Sequence, residues 1–496
     1  MTIKVQRCAL LLVASLCLVL GAPSIALTET CFAPDEALES LGPYDLSRSS
    51  QHFAVYFNID EAQRVDEARV EELLFWLEES LDVMTTELGF SPPEFIDQYQ
   101  LLVAVEHLPS PTTGGFTSRS ACEGSGQMAY MVLNSQWFSD DQKLQSLAPH
   151  ELFHAIQMAY AFDVFWGQED GPNRWWLEAS AAYMERVVYP QLDKRQQAHA
   201  LQWAREPWRA LRSNDSSGFQ YGSWLLAASI EQSLAHGHWH RQLWDGFLGR
   251  DALDVIEDID NMLANEGSSF ANEFGLFIER AATMDFEFGE GLSSPGEVWD
   301  DGEGGLVASH ESSELPLDAI ILATNSPPSP QTLGTSYVRV HAPGSAQALA
   351  INIEAYPDAS GASRDFELRL VAVQNGEAGL SHRLALESRA GGSSSIGSVI
   401  LDGFGGTYES ILIAASPTVE AVDGSNGSWS YSLRLNEWQG GAGFIASDSG
   451  ANDGKDCESC SQLSSAPRAL SSRLPLALLV LGLLAARRHQ ARPPKL

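Results

Sequence analysis

Positively charged side chains are scarce in this chain. Its 496 residues include 30 lysines and arginines against 65 aspartates and glutamates, which gives a formal net charge of −35 at pH 7. A surface of this sign repels phosphates and anionic lipid headgroups. The composition therefore excludes nucleic acid and anionic lipid surfaces as partners.

Long hydrophobic runs are also missing, and the two apolar segments near the ends of the chain are short for a membrane span of about 20 residues. The first of them lies in residues 1–26, which are typical of a secretory signal peptide. Lys4 and Arg7 form its charged start, residues 8–20 its apolar stretch, and residues 24–26 a small-x-small cleavage site. A retained membrane anchor is the alternative interpretation. The sequence predicts an exported protein.

Cysteine is rare too, with 6 in the chain. Removal of the signal would leave Cys31, Cys122, Cys457 and Cys460. Because an exported protein meets oxidising conditions, we expect a disulfide between Cys31 and Cys122, with metal ligation as the alternative.

The segment with the clearest chemistry is His-Glu-x-x-His at residues 150–154. Residues four apart lie on one helix face, so His150 and His154 can present two imidazoles to one Zn²⁺ ion. Glu151 would lie beside the metal, where a carboxylate can act as general base. The alternative is an amphipathic helix with two buried, hydrogen-bonded histidines.

A zinc site of this kind needs a third protein ligand. The longer motif with Gly and His at positions 157 and 160 is absent, because Gln157 and Tyr160 stand there. A helix-forming run over residues 174–185 carries Glu178 near its start, and Asp163 and Asp170, in the crossover before it, are rival acids.

The paired motifs at residues 150–154 and 176–181 resemble those of the gluzincin metallopeptidases, over roughly residues 50 to 240. That resemblance implies a zincin-like fold and one catalytic zinc ion held by His150, His154 and Glu178. Some gluzincins have an Asp four residues after the Glu ligand to orient a ligand histidine, but Ala182 stands there. Glu185 is therefore only a candidate for that role.

Tyr221 follows in a glycine-bounded segment before another apolar helix. In several gluzincins a Tyr or His beyond the Glu helix stabilises the oxyanion, so the resemblance makes Tyr221 a candidate catalytic residue. Packing against the helices is the alternative. His236, His238 and His240 form a further cluster, which we interpret as a solvated helix end or as metal scavenging without function.

Strand and helix patterns alternate through residues 27–300, the predicted zincin-like domain. Strands are predicted at residues 52–57, 99–106 and 128–133, a helix over 70–88, and a loop over 107–127. The metal helix should begin near Ser146 or kink at Pro149. The resemblance implies that the strand at 128–133 is an edge strand that binds the substrate backbone.

Residues 301–437 change character, with short alternating apolar runs between loops rich in Gly, Ser and Pro, which predicts a β-sandwich. We interpret it as a binding or spacer module, and the fold class of the whole chain as α+β. The predicted strands are Leu317–Ala323, Tyr337–Val340, Leu349–Ala355, Phe366–Val373, Leu384–Glu387, Val399–Leu401, Ile411–Ala414 and Trp429–Leu435.

Residues 438–468 read as a flexible linker that carries the last two cysteines, and residues 469–496 as a hydrophobic tail. A cysteine motif, a hydrophobic segment and arginines in this order resemble the C-terminal sorting tails of myxobacterial type. The resemblance implies retention at the cell surface after processing, with membrane contact only through the tail. A plain membrane anchor is the alternative.

Together these features predict a surface-retained zinc metallopeptidase that acts on a protein or peptide substrate. The alternative is a surface adhesin with a structural or vestigial metal site. An aminopeptidase is disfavoured, because the chain lacks a Gly-x-Met-Glu-Asn segment to bind a free amine.

Overall fold

The computed structural model confirms a mixture of helices and sheets of α+β type. It describes residues 42–121, 127–166, 171–215, 217–234, 238–287, 307–310, 329–342, 347–356, 365–375, 377–388, 394–418, 429 and 431–438. The predicted signal peptide, linker, tail and 300/301 domain boundary lie outside these residues, as do Cys31, Cys122, Cys457 and Cys460. In the part that is described, no helix is long and apolar enough to cross a bilayer.

A five-stranded sheet forms the first layer, with strand order β1-β2-β3-β5-β4. The inner strands β2, β3 and β5 are parallel, while β1 and β4 are antiparallel to their neighbours. The strands are β1 (Leu46–Ser49), β2 (Phe53–Phe57), β3 (Leu101–Glu106), β4 (Gly115–Ala121) and β5 (Gln127–Asn134).

The predicted loop over residues 107–127 is therefore wrong in its second half, because strand β4 lies there. Strand β4 is also the edge strand, whereas β5, the predicted edge, is an inner strand. The sequence of β4 has one Gly, two Ser and one Thr, which have loop or weak strand preference. Pairing with β5 along its whole length overrides that preference.

Helices cover one face of this sheet and extend beyond it. They are α1 (Glu67–Asp82), α2 (Asp141–Trp166), α3 (Arg174–Val188), α4 (Asp193–Arg205), α5 (Phe219–Gly222), α6 (Trp224–Leu234), α7 (Trp239–Asp245), α8 (Val255–Asn265) and α9 (Phe270–Thr283). Helix α1 confirms the predicted periodicity, since Val70, Leu73 and Leu77 are fully buried. Asp66 is its N-cap, since its side chain accepts a hydrogen bond from the Arg69 N–H, and the helix continues as a π-helical turn, Val83–Glu87.

The helix with the histidine motif begins earlier than predicted. It starts at Asp141, because the Asp140 carboxylate accepts hydrogen bonds from the N–H groups of Gln142 and Lys143 and so caps the first turn. Pro149 lies inside α2 rather than at its start, and the helix continues past it. The backbone becomes non-helical at Ala161, where φ is −156° and ψ is 47°.

Two further sheets pack face to face as the predicted β-sandwich. Their strand orders are β10-β9-β13-β7-β6 and β11-β12-β8-β14, and residues of both sheets form one core. The strands are β6 (Val307–His310), β7 (Ser336–His341), β8 (Gln347–Ala355), β9 (Asp365–Gln374), β10 (Glu377–Arg383), β11 (Glu387–Ser388), β12 (Ser395–Phe404), β13 (Ser410–Thr418) and β14 (Tyr431–Trp438).

Six of the eight strands predicted in this region overlap observed ones over most of their length, and the observed strand β6 was not predicted. The prediction at Leu317–Ala323 lies outside the described residues. Residues 384–386 connect two strands instead of forming one, and β10 just before them was missed. Strand β10 lies at the edge of its sheet and carries His382 and Arg383, so it lacks the apolar alternation of a buried strand.

The sandwich packs directly on the helical part of the molecule. Alternate residues of β13 face the two sides: Ile411 and Ile413 lie in the sandwich core, whereas Leu412 and Ala414 join the core of the helices. The Tyr337 hydroxyl donates a hydrogen bond of 3.0 Å to the Ile278 carbonyl of α9. The two parts therefore share buried apolar surface.

Candidate metal centre

Helices α2 and α3 bring the two sequence motifs together. His150 and His154 lie one turn apart on α2, with ring centroids 4.9 Å apart, and both are 7% exposed. Ala179 and Ala182 of α3 are buried, and such small side chains let two helices pack closely. Glu178, in the second turn of α3, therefore lies next to both histidines.

Three potential ligand atoms converge at this point. Glu178 Oε2 lies 3.4 Å from His150 Nε2 and 3.6 Å from His154 Nε2, and the three ligand atoms lie within 4.8 Å of one another. Ligand atoms about 2.0–2.1 Å from one tetrahedral zinc ion are separated by roughly 3.3 Å. The buried Glu178 Oε2 has no hydrogen-bond partner. An oxygen without a partner, facing two imidazole nitrogens at this spacing, fits a metal ion.

The rival ligands suggested by the sequence are Asp163 and Asp170. Asp170 lies outside the described residues, and the side chain of Asp163 is outside them as well. Among the described residues, His150, His154 and Glu178 are the one group of three or more His, Cys, Asp or Glu side chains that could hold a metal ion.

The other ring nitrogen of each histidine is bonded within the protein. His150 Nδ1 lies 2.9 Å from Glu185 Oε1, which is the contact that the candidate role of Glu185 requires. His154 Nδ1 lies 2.7 Å from Gln157 Oε1. Since a carboxylate oxygen accepts, His150 in its neutral form carries its proton on Nδ1. The Nε2 lone pair is then available toward Glu178, as a metal ligand requires.

The side-chain amide of Gln157 is held in one orientation by hydrogen bonds to α3. Its Nε2 donates to the Leu177 carbonyl at 3.1 Å and to Ser180 Oγ at 2.9 Å. A backbone carbonyl can only accept, so the amide nitrogen faces α3 and the amide oxygen faces His154. The residue that rules out the longer histidine motif thus orients the second histidine of the shorter one.

Glu151 lies beside the ligand group and outside it, as predicted. Its side chain is 3% exposed and accepts a hydrogen bond of 2.7 Å from the Thr117 hydroxyl of edge strand β4. The same hydroxyl lies 3.0 Å from the Glu151 carbonyl oxygen. A β-carbon added at Gly115 would come within 3.1 Å of Glu151 Oε1 and 2.6 Å of the Val132 carbonyl. Glycine at this position lets β4 approach the carboxylate.

At each of Glu151, Glu178 and His150, burial and the neighbouring charges shift the pKa in opposite directions. Burial raises the pKa of Glu151 above its usual range, although both histidines oppose it. Burial acts in the same sense on Glu178, but the neighbouring His154 and His150 outweigh it and hold its pKa well below the usual range. Burial would lower the pKa of His150, yet Glu178 and Glu185 raise it to about 10. The centre thus combines one carboxylate suited to accept a proton with carboxylates that stay ionised.

Tyr221, in the short helix α5, lies at the same centre. Its ring centroid is 5.8 Å from that of His150. The charges of Glu178, burial and the charge of Glu151 raise the pKa of its hydroxyl well above the usual value. Tyr221 therefore stays protonated and can donate a hydrogen bond.

Four further residues of the centre were not found by sequence reasoning: Thr117, Gln157, Arg195 and His199. Glu185 Oε1 lies 3.4 Å from His199 Nε2, and Glu185 Oε2 lies 3.7 Å from Arg195 Nε. Arg195 and His199 are four residues apart, so their shared helix face was a signal available in the sequence.

The second histidine cluster differs from its prediction. His236 lies outside the described residues, and His238 is exposed just before α7. His240, however, is 1% exposed and accepts a hydrogen bond of 3.2 Å from Trp244 Nε1. Interpretation of His240 as part of a solvated helix end is wrong, because it packs among aromatic rings. Those within 6.0 Å include Phe90, Phe153, Trp176, Tyr183 and Trp239.

Residues 30–375 match the family model described as "Family of unknown function (DUF6055)", and the chain belongs to that family. No curated protein matches the chain. Among solved structures, it is similar to "A novel family GH115 4-O-Methyl-alpha-glucuronidase, BtGH115A, with specificity for decorated arabinogalactans". Their identity is 11%, the match covers 62% of this chain and 46% of that one, and the TM-score is 0.16. A score this low carries no argument about fold or function.

Proposed function

We propose that this member of a family of unknown function is a zinc-dependent peptidase of gluzincin type with a zincin-like catalytic domain. The observation that carries the proposal is the convergence of His150, His154 and Glu178, with Glu151 buried beside them. Two imidazoles and one carboxylate form a ligand set found in catalytic zinc sites.

The number of ligands favours catalysis over a structural role. Structural zinc sites are closed by four protein ligands, whereas catalytic sites keep one position for water or substrate. Among the described residues, three side chains form the ligand group here. The side chain of Glu178 is 25% exposed, which gives the site a route to solvent.

Each residue has a definite role in hydrolysis. When bound, zinc supplies Lewis acidity to water and to the scissile carbonyl. Glu151 accepts a proton from the attacking water and returns it to the leaving amine, and its raised pKa suits both transfers. The Tyr221 hydroxyl donates a hydrogen bond to the oxyanion that develops on the carbonyl oxygen.

The sheet edge next to the centre suits a peptide substrate. Strand β4 pairs with β5 on one side and is the last strand of its sheet among the described residues. Its Thr117 contacts the proposed general base directly. An extended peptide that adds to this edge by backbone hydrogen bonds would pass close to Glu151. We therefore propose a protein or peptide as substrate.

Export and surface retention belong to the same proposal. They rest on the signal-like and tail-like segments at the two ends of the sequence. Mass spectrometry of the cell-surface and secreted fractions would show whether the chain starts after residue 26 and loses residues 469–496. Recovery of the full-length chain from the cytoplasm alone would contradict this part.

Replacement of Glu151 by glutamine separates a peptidase from an adhesin with a structural metal site. The variant should bind zinc as the wild type does, because Glu151 lies outside the ligand group. Its kcat/KM on a peptide library or casein should fall about 100- to 10,000-fold, since general-base catalysis contributes a factor of about 10²–10⁴. Glu257→Gln, the same change on the exposed face of α8, is the matched control. Equal cleavage by wild type and Glu151→Gln would remove the proposed mechanism.

A further inference from the structure

We infer that Arg195 and His199 of helix α4 are positioning residues of the metal centre, which act through the buried carboxylate of Glu185. The inference rests on the proposed function and deepens it. Glu185 was a candidate partner of a ligand histidine in the sequence, because Ala182 stands where some gluzincins have Asp, but the two α4 residues follow from the structure.

Glu185 lies between the metal ligands and α4. It is 1% exposed, and its Oε1 atom is 2.9 Å from His150 Nδ1 and 3.4 Å from His199 Nε2. Its Oε2 atom is 3.7 Å from Arg195 Nε. One carboxylate thus faces a metal-binding histidine, a second histidine and an arginine.

A buried carboxylate needs such partners. An ionised group away from water is stable only when it is paired or hydrogen-bonded. Arg195 supplies the positive charge, and its guanidinium carbon lies 4.9 Å from the centre of the Trp137 ring, which holds it in place. Removal of either α4 partner would leave Glu185 poorly compensated and free to turn away from His150.

His199 also connects Glu185 to the proposed oxyanion donor. Its ring stacks on that of Tyr221, with centroids 5.4 Å apart and an angle of 27° between the planes. The other ring nitrogen, Nδ1, lies 3.3 Å from the side-chain amide of Gln202. The same imidazole therefore contacts both the carboxylate that orients His150 and the ring of Tyr221. Helix α4 sets the positions of a metal ligand and a catalytic side chain together.

The test compares His199→Leu with His199→Gln. Leucine removes the polar contact with Glu185, whereas glutamine keeps an N–H donor. We expect His199→Leu to weaken zinc binding about 10- to 100-fold, the range for partners of metal ligands. His199→Gln should recover most of that loss. Zinc affinity is measured by competition with a chelator, and the visible spectrum of the Co²⁺-substituted protein reports the geometry around the metal without any turnover.

Arg195→Gln is a second variant for the case in which His199→Leu does not fold. The Arg195 side chain is 23% exposed, so the fold should tolerate its replacement. Arg195→Gln should also weaken zinc binding and change the Co²⁺ spectrum. Lys194→Gln, the loss of an exposed cation one residue earlier on α4, should change neither and is the matched control.

The outcomes separate this inference from the proposed function. If the wild type binds no zinc, the proposed function fails and the inference fails with it. If the wild type binds zinc and cleaves peptides while the folded His199 and Arg195 variants keep its zinc affinity, Co²⁺ spectrum and kcat/KM, the inference alone is overturned.

Discussion

Two buried histidines on neighbouring helices have opposite electrostatic surroundings. His150 faces the carboxylates of Glu178 and Glu185, which overcome the effect of burial and raise its pKa to about 10. His240 is surrounded by aromatic rings, and burial lowers its pKa to about 3. Burial alone therefore makes a packed, neutral imidazole. A group suited to hold a cation requires carboxylates aimed at the ring, and the following predictions test that difference.

The largest expected effect is on metal content. Glu178→Gln removes the only anionic ligand of the group, so the purified protein should lose stoichiometric zinc. Metal analysis after dialysis measures this, with about one zinc ion per chain expected for the wild type. Asp170→Asn is the control, because Asp170 is the rival ligand suggested by the sequence. Loss of zinc in that variant and retention in Glu178→Gln would reverse the assignment.

The next effect concerns Tyr221. Tyr221→Phe deletes the proposed donor to the oxyanion and keeps the ring that stacks on His199. We expect kcat to fall about 100-fold, in line with loss of one oxyanion donor. Zinc affinity should stay the same, since the hydroxyl is not part of the ligand group. A change in KM alone would show that Tyr221 only packs against the substrate.

The pH dependence of stability tests the apolar surroundings of His240. Its pKa is lower in the folded state than in the unfolded state, so the unfolded chain binds more protons between about pH 6.5 and pH 3. This contribution to stability is complete above pH 6.5 and is lost as the pH falls. From pH 6.5 to pH 5 we expect a decrease of about 2 kcal/mol in the free energy of unfolding. Denaturant titration of wild type and His240→Phe should show a smaller decrease in the variant, and identical slopes would contradict the account.

The smallest expected effect is the loss of kcat/KM in the Thr117→Val variant, whose new side chain has nearly the same shape as threonine. The substitution removes the hydrogen bond from the hydroxyl to Glu151 Oε2, and a hydrogen bond to a charged group contributes about 1.5–3 kcal/mol. We expect kcat/KM to fall about 10-fold with zinc binding unchanged. Thr85→Val, a threonine whose hydroxyl bonds to the Leu81 carbonyl on the π-helical turn, is the matched control. Equal losses in both variants would point to a general effect on stability.

The two histidines of the ligand group were predictable from the sequence because their placement depends on local rules. His150 and His154 share a helix face by spacing alone, and Glu178 followed from the resemblance to gluzincins. The structure brings all three together with Glu151 and Tyr221 at one centre. Helix α1 was predictable for the same reason, since its apolar residues recur with the period of a helix.

Other features depend on contacts between distant parts of the chain. Strand β4 was read as a loop because its composition is that of a loop, and only pairing with β5 makes it a strand. The arrangement of Thr117, Gln157, Arg195 and His199 around the ligands arises from three separate elements, β4, α2 and α4. Both faces of β13 are buried, because one packs against the second sheet of the sandwich and the other against the helices. The sequence of β13 alone could not show whether the sandwich is a separate module or shares a core with the helices.

X-ray absorption at the zinc edge of the metal-loaded protein tests the central claim most directly. The account predicts two imidazole nitrogens and one or two oxygens at about 2.0–2.1 Å from the metal, with no sulfur ligand. In Glu178→Gln this signature should be lost. A zinc ion bound without imidazole, or the same spectrum in wild type and Glu178→Gln, would contradict the claim that His150, His154 and Glu178 hold a single catalytic ion.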